Sequence, residues 1–491
     1  MKKIIFILII ILLFWRFRYS MTRYFDIDEF AHLHWGYSYF IGEVPYRDFF
    51  YLFPPFFLWT LWPLFYLLGR QVLTVVAARL LMFVFFLILC FILYLFSKKL
   101  RNKETALFSV FILTFLPMPM DKLLEIRPDL PALIMALSGL YFFVLSGENL
   151  NRRNLFICGL FMGISLGFVP KTIFFLAGVL MIIIYQYFSF VIKGKLKSFF
   201  RNYLPFAYGI IIPILIITLF SISRGKAGFA FYSMTRMAAD VTKVLASKFY
   251  ISPNFYFYPN DVFYGKGNIS PYYSANLIIW FTAIIMMIRR LISFFSYRNY
   301  GKRVAEFIFA VTFFVNLAAY VKIFPLKHAQ YLIPLAPFVA FYSADFWFDL
   351  LKNIRKNWGG ILTLGVTLYL AAMFKEIYDI RIWWNNRSSF DKINYFLSAF
   401  PGRTAIFDLT GESVFFPNGY YFCCIPYGQY NEVFDFSMPD IKQTMERRKT
   451  EIVHLGTADR IGVLPNSQAE YIKENFSSVT HPEILIRTKK L

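Results

Sequence analysis

Apolar runs of membrane-spanning length recur along this chain, each set off by a short polar or basic interval. They lie near 3–20, 72–97, 105–120, 128–146, 155–170, 172–191, 203–222, 274–290, 304–323, 331–349 and 359–377. Some 20 consecutive apolar residues make a helix that crosses a bilayer, so the pattern predicts about 11 transmembrane helices, the third and fifth being the shortest. Within the interval after the first run, FAHLHWGYSYF has an aromatic-rich helical pattern, and YLFPPFFLWTLWPLFYLL is apolar but broken by Pro54, Pro55 and Pro63. Both predict interfacial helices with Trp and Tyr at headgroup level. Past about residue 378 the long runs stop, and segments such as INYFLSAF, TAIFDLTG and TEIVHLG predict a small α/β or α+β domain. The expected fold is an all-α polytopic membrane protein over 1–377 with an extracytoplasmic C-terminal domain over 378–491.

Composition agrees with the pattern: no soluble fold of 491 residues could bury a chain that is 58% hydrophobic and 21% aromatic. The net charge of +22 suggests nucleic acid until its placement is read. The basic residues cluster between apolar runs, at 98–103, 152–153, 193–197, 289–303 and 352–356. That is the signature of cytoplasmic loops facing anionic lipid, and it leaves no basic, aromatic-interleaved domain to read bases. Residues 1–15 resemble a signal peptide, but Arg16, Phe17 and Arg18 follow where a small-residue cleavage site would stand. The segment therefore reads as an uncleaved first helix with its N-terminus cytoplasmic, and the compact first outer loop points to a plasma (inner) membrane. Cys90 and Cys158 lie in apolar runs, Cys423 and Cys424 are adjacent, and no metal-type spacing or disulfide framework emerges.

Alternation along these spans puts 21–71, the 121–127 turn, Lys171, the long 223–273 segment, the 325–330 turn and the tail on one outer face. The candidate chemistry lies there. Asp26, Asp28 and Glu29 precede the first interfacial helix, where Asp28 and His32 share a face one turn apart. Helix capping accounts for one acid but not for three, and ionisable groups beside a membrane usually serve function. Asp26-Ile27-Asp28 also matches a metal-holding DxD pattern, a weak signal in two residues. Arg47 and Asp48 follow in GEVPYRDFF, where an exposed ion pair at a turn is the plain alternative. The next outer turn, DKLLEIRPDLP, carries Glu125, Arg127 and Asp129, of which Asp129 is also suited to a helix start. Lys171 is either a snorkelling lysine or a ligand. Lys327, His328 and Tyr331 stand at another outer turn, where cations run against the orienting rule and call for an anionic partner such as phosphate. The 223–273 segment is long enough to close over a site.

Taken in order, these stretches resemble the type C glycosyltransferases, and among them the family 39 protein O-mannosyltransferases and lipid A aminoarabinose transferases. The resemblance rests on Asp28-Glu29, on Gly42 to Phe49 with Pro54-Pro55, on Arg127-Pro128-Asp129, on Gly163 to Lys171 and on Lys327 to Pro337. It covers roughly residues 1–350, and it departs in the histidine spacing, since His32 and His34 lie four and six residues past Asp28. It implies transfer of a hexosyl or pentosyl unit from a polyprenyl-phosphate donor to an extracytoplasmic lipid, glycan or protein acceptor. Inversion by one carboxylate base is implied, with Asp28 and Glu29 as the catalytic pair and Asp28 as the base. Arg47, Arg127, Lys171 and Lys327 would meet the phosphate, and Asp48, Glu125, Asp129, His328 and Tyr331 would line the substrate. Some members of the wider superfamily hold a divalent metal cation with acids from such loops and others do without, so a metal is open here and no other cofactor is implied. A transporter or flippase of lipid-linked sugars would also need outer cations and lipid grooves. It would favour midplane polar groups and internal repeats, and neither is evident.

Overall fold

The computed structural model describes residues 2–119, 122–147, 150–224, 227–237, 240, 271–295, 301–324, 329–353, scattered positions within 365–379, and 382–402, 404–428, 439–456, 458–461 and 464–488. The helical part runs α1 (Lys2–Thr22), α2 (Ile27–Phe40), α3 (Phe56–Leu68), α4 (Val72–Leu100), α5 (Lys103–Phe115), α6 (Asp129–Ser146) and α7 (Arg152–Phe168). A 3-10 turn (Pro170–Phe175) leads into α8 (Leu176–Ile192), followed by α9 (Leu196–Ser223), α10 (Ala227–Thr235), α11 (Pro271–Phe295) and α12 (Gly301–Lys322). A second 3-10 turn (Ala329–Leu335) leads into α13 (Ala336–Asn353). Among the described residues, eight helices are long and apolar enough to cross a membrane. The expected runs at 105–120 and 155–170 form helices of 13 and 17 residues, and the run at 359–377 lies almost wholly outside the described residues.

Local chemistry sets the helix ends. Asn102 and Asn151 cap α5 and α7 through their side chains. Asp26 and Glu29 form a reciprocal capping box on α2. Between α7 and α9 the backbones touch: a Cβ on Gly159 would stand 2.1 Å from the Phe206 carbonyl oxygen, and one on Gly209 would stand 2.3 Å from that of Phe156. Small residues permit this approach, as at other membrane helix interfaces.

Two ends of the bundle emerge. Arg79 stands near the start of α4 and Arg101 just past its end, about 33 Å apart at the helical rise. At the Arg101 end, basic residues meet acids: Arg101 pairs with Asp345 and Glu306, and Arg290 with Asp345. The Arg79 end gathers α2, α3, the 122–128 turn and the 3-10 turn that bears Lys171.

Onto that end docks a C-terminal lobe of α14 (Arg387–Ala399), β1 (Ile406–Asp408), α15 (Ile441–Arg447), β2 (Ile452–His454), α16 (Ala458–Ile461), α17 (Asn466–Asn475), β3 (Phe476–His481) and β4 (Ile484–Arg487). Its sheet has the order β1-β2-β4-β3, with β1 and β2 parallel and the other pairings antiparallel. The lobe shares its core with the helical part. Phe396, Ile406, Phe415 and Ile452 share a buried cluster with Phe30 and Leu33 of α2, Phe57 of α3 and Met82 of α4. Gly411, at φ +83°, brings the lobe backbone onto α2, where an added Cβ would stand 3.0 Å from Ala31 Cα.

Candidate functional site

Three separate parts of the sequence build one ionic cluster. The α1–α2 joint supplies Arg23, Asp26, Asp28 and Glu29, the 122–129 turn supplies Lys122, Glu125, Arg127 and Asp129, and Arg79 and Lys171 come from α4 and the first 3-10 turn. Arg23 pairs with Glu29 at 3.3 Å and with Glu125 at 2.7 Å. Arg79 pairs with Glu29 at 2.7 Å. Lys122 bridges Asp26 at 3.1 Å and Glu125 at 2.7 Å. Arg127 holds Asp28 at 2.5 Å, Glu125 at 3.2 Å and Asp129 at 3.4 Å. Lys171 closes on Asp129 and lies 4.9 Å over the Tyr331 ring. Five acids therefore face five bases, which is how charge can be buried at tolerable cost.

Exposure separates the two acids that the sequence paired. Glu29 is wholly buried, and five donors reach its carboxylate: Arg23, two nitrogens of Arg79, and the backbone N–H groups of Asp26 and Ile126. Its lone pairs are filled, so it fastens α2 to α4 and to the 122–129 turn. The Asp28 side chain is 47% exposed and is the most open of the five acids. Desolvation raises its pKa, but the Arg127 guanidinium outweighs this and keeps the carboxyl below its ordinary range. Asp26 is likewise held low, with Lys122 overcoming burial. His32 lies beneath, against Trp35, Phe53 and Phe57. Burial, reinforced by Arg127, lowers its pKa to about 3, so the imidazole is neutral.

Arg47 and Asp48 form an exposed pair with each other, joined by two bonds of 2.9 and 2.7 Å. No contact among the described residues brings them into the cluster. Asp48 instead accepts from the Val44 N–H, and its carbonyl accepts from Arg448 of the lobe. Lys327 and His328 lie outside the described residues, as does most of the 223–273 segment. Arg23 and Arg79 join the cluster without having been singled out in the sequence. The available signal was Arg79 itself, a lone charge inside an oily helix.

For a divalent cation the cluster offers little. All five of its acids are engaged by buried or largely buried cations, and Asp28 alone is also half-exposed. Among the described residues, the trio of metal-ligating side chains brought within reach of one ion is elsewhere, at His34, Cys423 and Cys424.

Comparison with known proteins follows the same lines. The family model described as dolichyl-phosphate-mannose-protein mannosyltransferase matches residues 53–222. No curated protein sequence matches. The structure of ArnT from Cupriavidus metallidurans bound to undecaprenyl phosphate superposes with TM-score 0.60 at 11% identity, covering 99% of this chain and 97% of that one. The Archaeoglobus fulgidus oligosaccharyltransferase AglB, in complex with an inhibitory peptide and a dolichol-phosphate, gives TM-score 0.52 at 11% identity, covering 91% of this chain and 69% of that one. The oligosaccharyltransferase of that organism in complex with Zn and sulfate gives 0.52 at 12%, covering 95% and 71%. This chain thus has the polytopic fold of the type C glycosyltransferases, and its resemblance to the ArnT and protein mannosyltransferase group holds.

Proposed function

We propose that the chain is an integral glycosyltransferase of the plasma membrane that moves a monosaccharide from a polyprenyl-phosphate carrier to an extracytoplasmic acceptor. The observation that carries this reading is the placement of Asp28, one open carboxylate at the rim of an otherwise buried, charge-balanced cluster. The shared fold with proteins whose structures hold undecaprenyl phosphate or dolichol-phosphate supports the donor class.

In this mechanism Asp28 accepts the acceptor hydroxyl's proton as that oxygen attacks the anomeric carbon. The phosphate leaves from the opposite face, and the configuration inverts. A phosphate is a weakly basic leaving group and needs positive charge more than a proton. Arg127 supplies that charge by exchange. A donor phosphate competes for its guanidinium, loosens the bond to Asp28, and raises the basicity of the carboxylate at the moment it is needed. Asp129, paired in turn with Lys171, holds the far side of Arg127, with Lys327, His328 and Tyr331 as candidate donors from the following turn. Glu29, with its oxygens saturated, positions α2 and does not touch substrate. Asp48 ties the first loop to the lobe through its carbonyl, which accepts from Arg448, and Arg47 pairs with the Asp48 carboxylate.

The test is turnover by the purified protein on a panel of polyprenyl-phosphate sugars with cell-envelope extract as acceptor, read as release of polyprenyl phosphate. Asp28→Asn, which keeps shape and removes the base, should insert normally and lose about 10²–10⁴-fold in rate. If no donor is consumed, or if the variant turns over like the wild type, the reading is wrong. Vesicle translocation of the same lipids that survives Asp28→Asn would point to a transporter.

A further inference from the structure

His32 and His34 are two residues apart on α2, so they project about 200° apart around the helix. His32 faces the ionic cluster, and His34 faces the lobe. There its Nδ1 lies 3.2 Å from the Ser413 carbonyl oxygen and its Nε2 lies 2.6 Å from Asn418 Oδ1. Asn418 Nδ2 donates to Ser38 Oγ at 2.7 Å and to Glu43 at 2.6 Å, which fixes Oδ1 toward the histidine. If Nδ1 donates to Ser413, two acceptors, Nε2 and Oδ1, confront each other in a fully buried site. Something positive must lie on Nε2, either a proton or a metal ion.

The sulfurs of Cys423 and Cys424 complete the surroundings. They stand 3.0 Å apart, both residues are buried, and the donor atoms of His34, Cys423 and Cys424 all lie within 4.8 Å of one another. Cys424 adopts φ +69°, a conformation costly for a side chain with a Cβ, and Arg460 holds its carbonyl at 2.9 Å. Strain of this kind persists where surrounding contacts force it and often marks a functional position. A carbonyl on the far nitrogen is also the usual way a ligating histidine is oriented.

We propose that His34, Cys423 and Cys424, with Asn418 Oδ1 as fourth donor, form a tetrahedral site for a thiophilic d10 cation, zinc above all, that clamps the lobe to the helix bearing Asp28. Tetrahedral zinc sets its donors about 3.3–3.8 Å apart, given Zn–S near 2.3 Å and Zn–N near 2.0 Å. Zinc entry therefore requires the sulfurs to part from 3.0 Å and Nε2 to part from Oδ1 at 2.6 Å, through rotations about the cysteine, His34 and Asn418 side chains. Binding displaces the proton from Nε2 and the thiol protons from sulfur, so affinity falls as pH falls. With all four positions taken by protein, the site is structural and independent of the transfer reaction.

The experiment uses the full chain, purified in detergent, stripped with chelator, kept reduced, and titrated with cadmium(II). A thiolate-to-cadmium charge-transfer band should grow to saturation at one equivalent and be displaced by zinc(II). It should be lost in Cys423→Ser and Cys424→Ser and retained in Asp28→Asn. Zinc should raise the Tm of the stripped protein by a few degrees. Because either serine variant could fail to fold, X-ray absorption on zinc-loaded wild type gives a second reading, with two sulfurs expected near 2.3 Å and two lighter atoms near 2.0 Å. Absence of the band at stoichiometric cadmium, a band that survives both substitutions, or a zinc shell of only nitrogen and oxygen overturns the proposal.

Discussion

Exchanging Glu29 for Gln is the sharpest test of how the cluster is divided between positioning and chemistry. The substitution keeps the side chain's volume and removes one charge from between Arg23 and Arg79. Whichever way the amide turns, its NH2 confronts donors. At the Oε1 position it meets Arg79 Nε and the Ile126 N–H, now bonded at 2.9 and 3.1 Å. At the Oε2 position it meets Arg79 Nη2, the Asp26 N–H and Arg23, now bonded at 2.7, 3.0 and 3.3 Å. Breaking a buried ion pair from one side costs about 3–5 kcal/mol. An unfolding entropy of about 2 cal/mol/K per residue over 491 residues gives about 1 kcal/mol per degree, so Tm should fall by about 3–5 °C. Asp28→Asn alters a half-exposed carboxylate whose cation keeps Glu125 and Asp129, and its Tm should stay within about 1 °C of wild type. The assay is thermal unfolding in detergent followed by intrinsic tryptophan fluorescence, with donor turnover measured on the same samples. Equal destabilisation by the two substitutions, or a Glu29→Gln protein as stable and active as wild type, would refute this division of labour.

Two other predictions come from elsewhere in the chain. His454, buried between Asp408 at 3.3 Å and Glu412 at 3.3 Å, has its pKa raised because those acids, Asp408 foremost, outweigh burial. Its folded-state pKa exceeds the unfolded value near 6.5, so its stabilisation is complete below that pH and is lost as pH rises through the folded value; the alkaline fall in Tm should flatten in His454→Gln. Gly159→Leu drives a side chain into the Phe206 carbonyl, so α7 and α9 must separate, and the protein should lose folded yield in detergent size-exclusion chromatography, whereas Leu155→Met should not.

The membrane helices were legible because a bilayer demands about 20 apolar residues at a time, and that demand is written locally. Asp28, Glu125, Arg127, Asp129 and Lys171 could be singled out for a related reason, as charges at the ends of such runs. What sequence could not convey was which acid is sealed and which is open. That depends on Arg79 reaching Glu29 from 50 residues away and on Arg23 reaching Glu125 from 102. Arg23 and Arg79 lie in or beside oily helices, where composition alone does not distinguish an orienting charge from a buried partner. The pairing of His34 with Asn418 spans 384 residues and leaves no local trace.

The core shared by the lobe with α2, α3 and α4 has a consequence for how the protein is made. A ribosome delivers residues 387–488 after the membrane helices described here, yet those residues supply one wall of the oily packing beneath Asp28. Until they arrive, Phe30, Leu33 and Phe57 lack part of their cover, and the helix that bears the open carboxylate leans on α3, α4 and the 122–129 turn alone. Assembly therefore finishes at the end where the chemistry is proposed, so that a half-made chain already threaded through the bilayer holds its charges without yet holding them in place.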